Sequence, residues 1–104
     1  MITEKRGMST PWGPAQHVEH IADGIVAVDA AGHGGIHLSR ERAAQMRRVF
    51  PDFRPFTGCY TWWEEDCDAA IVVIAFPECF PADQVARARE FALKSDYYAP
   101  LHLT

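Results

Sequence analysis

The feature that most restricts how this chain can fold is the run "AAGHGGIHLSRERA", residues 30–43. Three of the seven glycines stand here, Gly32, Gly34 and Gly35, framing His33. A helix signal follows at once. Ser39 is a good N-cap, and Ala43, Met46, Val49 and Phe50 recur at helical spacing up to Pro51. Arg40, Arg47 and Arg48 fall largely off that apolar stripe. A chain that turns sharply and then enters a helix at a fixed point has few topologies open to it. Glycines permit positive φ, so the expectation is a tight connection that feeds the helix.

Other punctuation divides the rest. "TPWGP" reads as a rigid turn, and its Trp12 is expected to plug one end of the core. Asp23-Gly24 is a hairpin signal between two apolar runs, which predicts two strands across residues 15–30. A short helix over residues 15–22 competes with the first of them. "PDFRPFTG" is a loop whose two phenylalanines should fold back onto the core. "CYTWWEED" reads as a strand. Residues 66–76 carry conflicting signals. The β-branched run suits a buried strand, whereas the acidic start, the alanines and Pro77 suit a helix, which is the preferred reading. Residues 81–96 present Val85, Ala88, Phe91 and Ala92 on one helical face.

These elements predict an α+β fold. A small antiparallel sheet, made of the N-terminal hairpin plus a strand near 58–64, packs against two or three helices. Residues 1–10 read as a flexible tail and residues 11–104 as a single globular domain. At 104 residues and 48% apolar, the chain has enough material for one core. Its longest apolar run, residues 69–76, is far short of the ~20 residues of a membrane span. The first ten residues lack the apolar stretch of a secretory signal. A cytoplasmic protein is expected. Cys59, Cys67 and Cys79 show no two-residue spacing, so they read as buried free thiols.

The net charge is −4, and its placement is informative. Between Arg54 and Arg87 there is no lysine or arginine, while Glu64, Glu65, Asp66, Asp68, Glu78 and Asp83 fall in that span. Such a field repels nucleic acid and attracts Lys/Arg-rich surfaces. Within "WWEEDCD", Trp62, Trp63, Glu64, Glu65, Asp66 and Asp68 are candidate partner-binding residues. Tryptophan anchors beside charge suit an interface. On a strand one tryptophan points inward and the other outward.

The glycine-framed His33 is the secondary, catalytic candidate. No lysine, Walker spacing or G-x-G-x-x-G supports a phosphate loop. "HGG" is similar to the oxyanion loop of α/β-hydrolases. However, Ser9, Ser39 and Ser95 sit in no nucleophile elbow. His17, His20, His33 and His37 are the secondary metal candidates, with Glu19 or Asp29 as possible companions. Strand geometry weakens the first pair, because positions 17 and 20 face opposite sides.

"STPWGPAQ", "GI", "GHGGIHLS", "EEDC" with its apolar run, and "FPECF" together resemble an uncharacterised family of small proteins and domains. Its members are carried by proteobacterial phages, plasmids and integrated elements. The resemblance runs from about residue 9 to residue 81. Ala30 departs from it, since members often carry threonine there, and the loop therefore lacks that hydroxyl. No activity comes with the resemblance. It implies a setting of mobile DNA near anti-defence genes. That setting, with the acidic span, makes a non-enzymatic inhibitor of bacterial host defence the leading expectation. It would be of the anti-CRISPR kind and need no cofactor. An acidic, aromatic, DNA-mimicking face would occupy the Lys/Arg-lined nucleic-acid channel of a CRISPR effector. Monomer and homodimer both remain open, no membrane is involved, and direct nucleic-acid binding by the arginine helix ranks last. The alternative is a small metal- or histidine-dependent enzyme centred on the Gly-His-Gly-Gly loop.

Overall fold

Asp23 and Gly24 do turn the chain between two strands. In the computed structural model, which describes residues 5–103, β3 (His17–Ala22) pairs antiparallel with β4 (Ile25–Asp29). A bulge interrupts the ladder between His20 and Ala22. Ahead of them, β1 (Ser9–Thr10) and β2 (Gly13–Pro14) form a small separate hairpin around Trp12. The Thr10 hydroxyl fixes this turn by accepting from the Trp12 N–H and donating to the Gly13 carbonyl. The tail expectation for residues 1–10 is corrected for part of its length. Gly7 N–H donates to Ala15 O, Ala15 N–H donates to Met8 O, and residues 9–10 are strand. Residues 1–4 lie outside the described residues.

The larger correction concerns the glycines. Gly34 and Gly35 are not in a turn; they begin a strand, β5 (Gly34–Leu38), in the middle of a four-stranded antiparallel sheet ordered β3-β4-β5-β6. The turn is residues 30–33, closed by Ala30 N–H to His33 O at 2.8 Å. None of Gly32, Gly34 and Gly35 has positive φ. What Gly34 and Gly35 supply is room. A Cβ on Gly34 would lie 2.5 Å from the Val28 carbonyl oxygen and 2.7 Å from an Asp29 carboxylate oxygen. A Cβ on Gly35 would strike the Trp63 carbonyl oxygen and come within 2.6 Å of the Trp12 ring. Glycine is enriched where another backbone or ring approaches this closely.

From β5 the chain passes Ser39, whose side chain accepts from Arg42 N–H, into α1 (Arg40–Val49). β6 covers only Trp62–Glu64, shorter than the strand expected near 58–64. The residues before it curl into turns, with Gly58 N–H on Pro55 O and Trp62 N–H on Cys59 O. The apolar run after Asp68 is helical: α2 (Ala69–Ala75). Ile71, Val72, Val73 and Ile74 are all buried, so this short helix is covered on every side and β-branching does not decide its state. A 3₁₀ turn (Pro77–Cys79), α3 (Ala82–Ala92) and a C-terminal 3₁₀ segment (Asp96–Leu101) complete the chain.

The sheet separates two apolar clusters. Alternation sends Ile25, Ile36, Leu38 and Trp63 toward the helices, where they meet Met46, Phe50, Phe53, Ile71, Val72 and Phe76. Val26 and Val28 point to the other face, which Met8, Ala15 and Trp62 cover. Trp12 lies on that second face, edge-on to Trp62 with ring centroids 5.7 Å apart, rather than at an end of the main core. Of the two loop phenylalanines, Phe53 is buried and Phe56 is 74% exposed. The cysteines are free but none is fully buried: Cys59 is exposed, and Cys67 and Cys79 are half-buried.

Asp68 ties distant segments together. It is completely buried, and its carboxylate accepts from Phe56 N–H and Tyr97 O–H, each at 2.6 Å. Burial raises its pKa above the usual carboxylate value, and the two hydrogen bonds oppose that shift. An acid with a raised folded-state pKa stabilises the fold most at low pH, below its unfolded value of about 3.9. That contribution is lost as pH climbs through the folded value. Asp68→Asn keeps an acceptor without the charge, so its stability relative to wild type is expected to rise steadily from pH 4 to pH 7 in denaturant melts. A pH-independent difference would refute the burial argument. Asp68→Ala removes the acceptor and is expected to cost about 1–3 kcal/mol.

The glycine argument is equally open to test. Gly35→Ala is expected to destabilise by about 1–3 kcal/mol, because backbone and indole cannot both retreat. Gly32→Ala, with open space around it, is expected to stay within about 0.5 kcal/mol. Equal losses in urea unfolding would show that close approach is not the constraint.

Candidate functional site

The two segments that stand out in the sequence meet in space. Gly35 is the register partner of Glu64, and Glu65 N–H donates to Gly34 O at 2.9 Å. The end of β6 is thereby held beside the start of β5 and the β4–β5 turn. Asp29, the register partner of Gly34, closes the same corner. Asp29, His33, Glu65 and Asp66 are exposed there. His33, Glu65 and Asp66 each offer one ligand atom, and these atoms all lie within 4.8 Å of one another.

Glu64 sits behind them. Its side chain is only 10% exposed, its Oε1 lies 3.8 Å from His33 Nδ1, and the same oxygen accepts from Asp66 N–H at 3.1 Å. Burial, a hydrogen bond to Glu64, and the Glu64, Asp68 and Asp66 charges push the neighbouring Cys67 thiol pKa up. Cys67 is therefore a poor thiolate at neutral pH. Cys59 is the opposite case, because hydrogen bonds with Thr61 and, more weakly, the positive charge of Arg47 lower its pKa.

The other predicted residues divide as follows. Trp63 is the inward tryptophan, 1% exposed, with its Nε1–H on Tyr60 O. Trp62 is on the opposite face, half-buried between Trp12 and His37. Glu64 and Asp68 are buried, which corrects their place on a docking surface. Of the six candidate contact residues, Glu65 and Asp66 are fully presented to a partner and Trp62 partly so.

The histidine pairs do not assemble as pairs. His17 and His20 are exposed on opposite faces of the edge strand β3, since the bulge comes only after His20. His33 lies in the turn before β5 and His37 within β5, on the stretch that pairs with Trp62. His37 packs on Trp62 with ring centroids 4.3 Å apart. His33 instead joins the acids that follow β6.

Two features had no local signal. Asp29 joins the acidic corner only through strand pairing. A cleft of about 1080 Å³ opens at the other end of β5, lined by Met8, His37, Ser39, Arg40, Arg42 and Trp62 among others. Arg42 is held in its wall by a bond to Asp23 O and by the Phe76 ring beneath its guanidinium. This end of β5 carries charges of both signs, since Asp23 and Glu41 line the cleft beside Arg40 and Arg42.

No described helix is long and apolar enough to cross a membrane. Neither a curated protein nor a solved structure matches the chain significantly. One protein family does match, described as a domain of unknown function (DUF7007), and it spans residues 5–102, covering both hairpins, the acidic corner and all three helices. The chain belongs to the DUF7007 family.

Proposed function

We propose that this domain is a non-enzymatic binding protein of mobile DNA elements that inhibits host defence, its target a CRISPR effector with a Lys/Arg-lined nucleic-acid channel. The observation that carries the reading is the corner formed by Asp29, Glu65 and Asp66. Three exposed acidic residues stand at one end of the sheet, on strand ends and a short turn rather than on a loose tail. The ion pairs formed by lysine and arginine among the described residues, Arg87–Asp83 and Lys94–Glu90, belong to α3 and its C-terminal end. Among the described residues, no lysine or arginine forms an ion pair with the corner's carboxylates. Carboxylates on a structured support attract basic side chains and speed encounter. The resemblance to proteins of phages, plasmids and integrated elements supplies the setting.

The contact is narrower than the linear sequence suggests, since Glu64, Asp68 and Trp63 serve the interior. Glu65→Lys/Asp66→Lys is expected to weaken binding to a purified effector complex at least tenfold. Wild-type affinity should fall steeply with salt. The test is a binding and target-DNA cleavage assay across a panel of effector complexes. Undiminished inhibition by the reversed protein would end the acidic-contact mechanism. Absence of binding across the panel would end the anti-CRISPR reading.

A further inference from the structure

We propose that His33, Glu65 and Asp66 bind one divalent transition-metal ion, with Glu64 as the positioning carboxylate behind His33. The site shares Glu65 and Asp66 with the proposed partner contact and unites both sequence motifs, the glycine-framed histidine and the acidic run.

Three observations carry it. The first is proximity: one ligand atom from each residue lies within 4.8 Å of the others. Ligands about 2.0–2.2 Å from a shared cation stand roughly 3–3.5 Å apart. All three side chains are exposed, so small rotations close the difference. The second is support. His33 is fixed by the Ala30–His33 turn bond, Glu65 by its N–H on Gly34 O, and Asp66 by its N–H on Glu64.

The third is Glu64 itself. Its carboxylate is nine-tenths buried, and the ion-pair partner it has among the described residues is His33 at 3.8 Å. The Asp66 N–H and a hydrogen bond with Cys67 hold this carboxylate in place against one edge of the imidazole. Glu64 Oε1 lies 3.8 Å from Nδ1, and the other ring nitrogen, Nε2, is the one assigned to the ion. A carboxylate on one ring nitrogen and a metal on the other is a recurrent arrangement that fixes the tautomer and raises ligand basicity.

The donor set selects the ion. One imidazole with two carboxylates suits Zn²⁺ and its transition-metal neighbours better than Mg²⁺ or Ca²⁺, which favour all-oxygen shells. Three protein ligands on an exposed corner leave a coordination position open to water or to a donor from another molecule.

Untagged, chelator-treated protein titrated calorimetrically with Zn²⁺ tests the site, with Mg²⁺ and Ca²⁺ as comparators. One equivalent of Zn²⁺ is expected. His33→Ala and Glu65→Gln/Asp66→Asn should each weaken binding at least 100-fold while leaving the metal-free melting temperature unchanged. Glu64→Gln should weaken it about 10–100-fold. Zn²⁺ should shift the His33 Nε2 resonance in ¹⁵N ring spectra of wild type, a signature that a merely structural Glu64 would leave intact in Glu64→Gln. Substoichiometric binding, unchanged affinity in His33→Ala, or equal affinity for Mg²⁺ would overturn the site. Unchanged affinity and ring spectra in Glu64→Gln would overturn the role of Glu64.

Discussion

The close approach of β4, β6 and Trp12 around Gly34 and Gly35 is the contact on which the rest of this structure depends. With side chains at these positions, the Val28 and Trp63 carbonyls and the Trp12 ring would all have to withdraw. β6 has only three residues, paired through Gly35, Ile36 and His37, so it has little ladder to lose. Its register sends Trp63 into the main core and Glu64 to the opposite face. The same register sets Glu65 and Asp66 beside His33. Packing and the candidate site therefore share one cause.

What was legible in the sequence is what is decided locally. Ser39 and Pro51 bracket α1, Asp23-Gly24 marks the hairpin, and Pro81 precedes the apolar face of α3. These signals act within a turn or two of themselves. β5 was not legible, because glycine is a weak strand former on its own and is favoured here only by what packs on it from elsewhere. β6 illustrates the same limit from the other side: aromatics and threonine suit a strand, yet turn bonds curl the chain over residues 55–60, and only Thr61 O, accepting from Leu38 N–H, reaches β5 ahead of Trp62. In α2, burial on every side outweighs β-branching. The Asp68 network joins residues 56, 68 and 97, a closure no local pattern announces.

The acidic span shows why linear charge counts mislead about surfaces. Four carboxylates in five positions look like one solvated face. Strand alternation and the turn into α2 sort them: Glu64 inward, Glu65 and Asp66 outward, Asp68 inward again. Only half of that apparent face exists, and pairing across the sheet adds Asp29 to it. The candidate catalytic histidine is sorted in the same way. It gains carboxylate neighbours that lie more than thirty residues further along the chain.

Those neighbours give the corner its functional logic. Exposed carboxylates crowded around one imidazole, with a buried carboxylate behind, form a local excess of negative charge that folding itself does not neutralise. Lysines and arginines of a partner satisfy that excess, and so does a divalent ion. The two act on the same side chains, Glu65 and Asp66, and so oppose each other there unless the partner also donates a ligand to the ion's open position. With the ion bound, the corner offers coordination chemistry to a single donor group. Without it, the corner offers a diffuse field to a basic surface. The geometry that Gly34 and Gly35 impose thus places one histidine and two exposed carboxylates where the proposed contact and the proposed ion would compete.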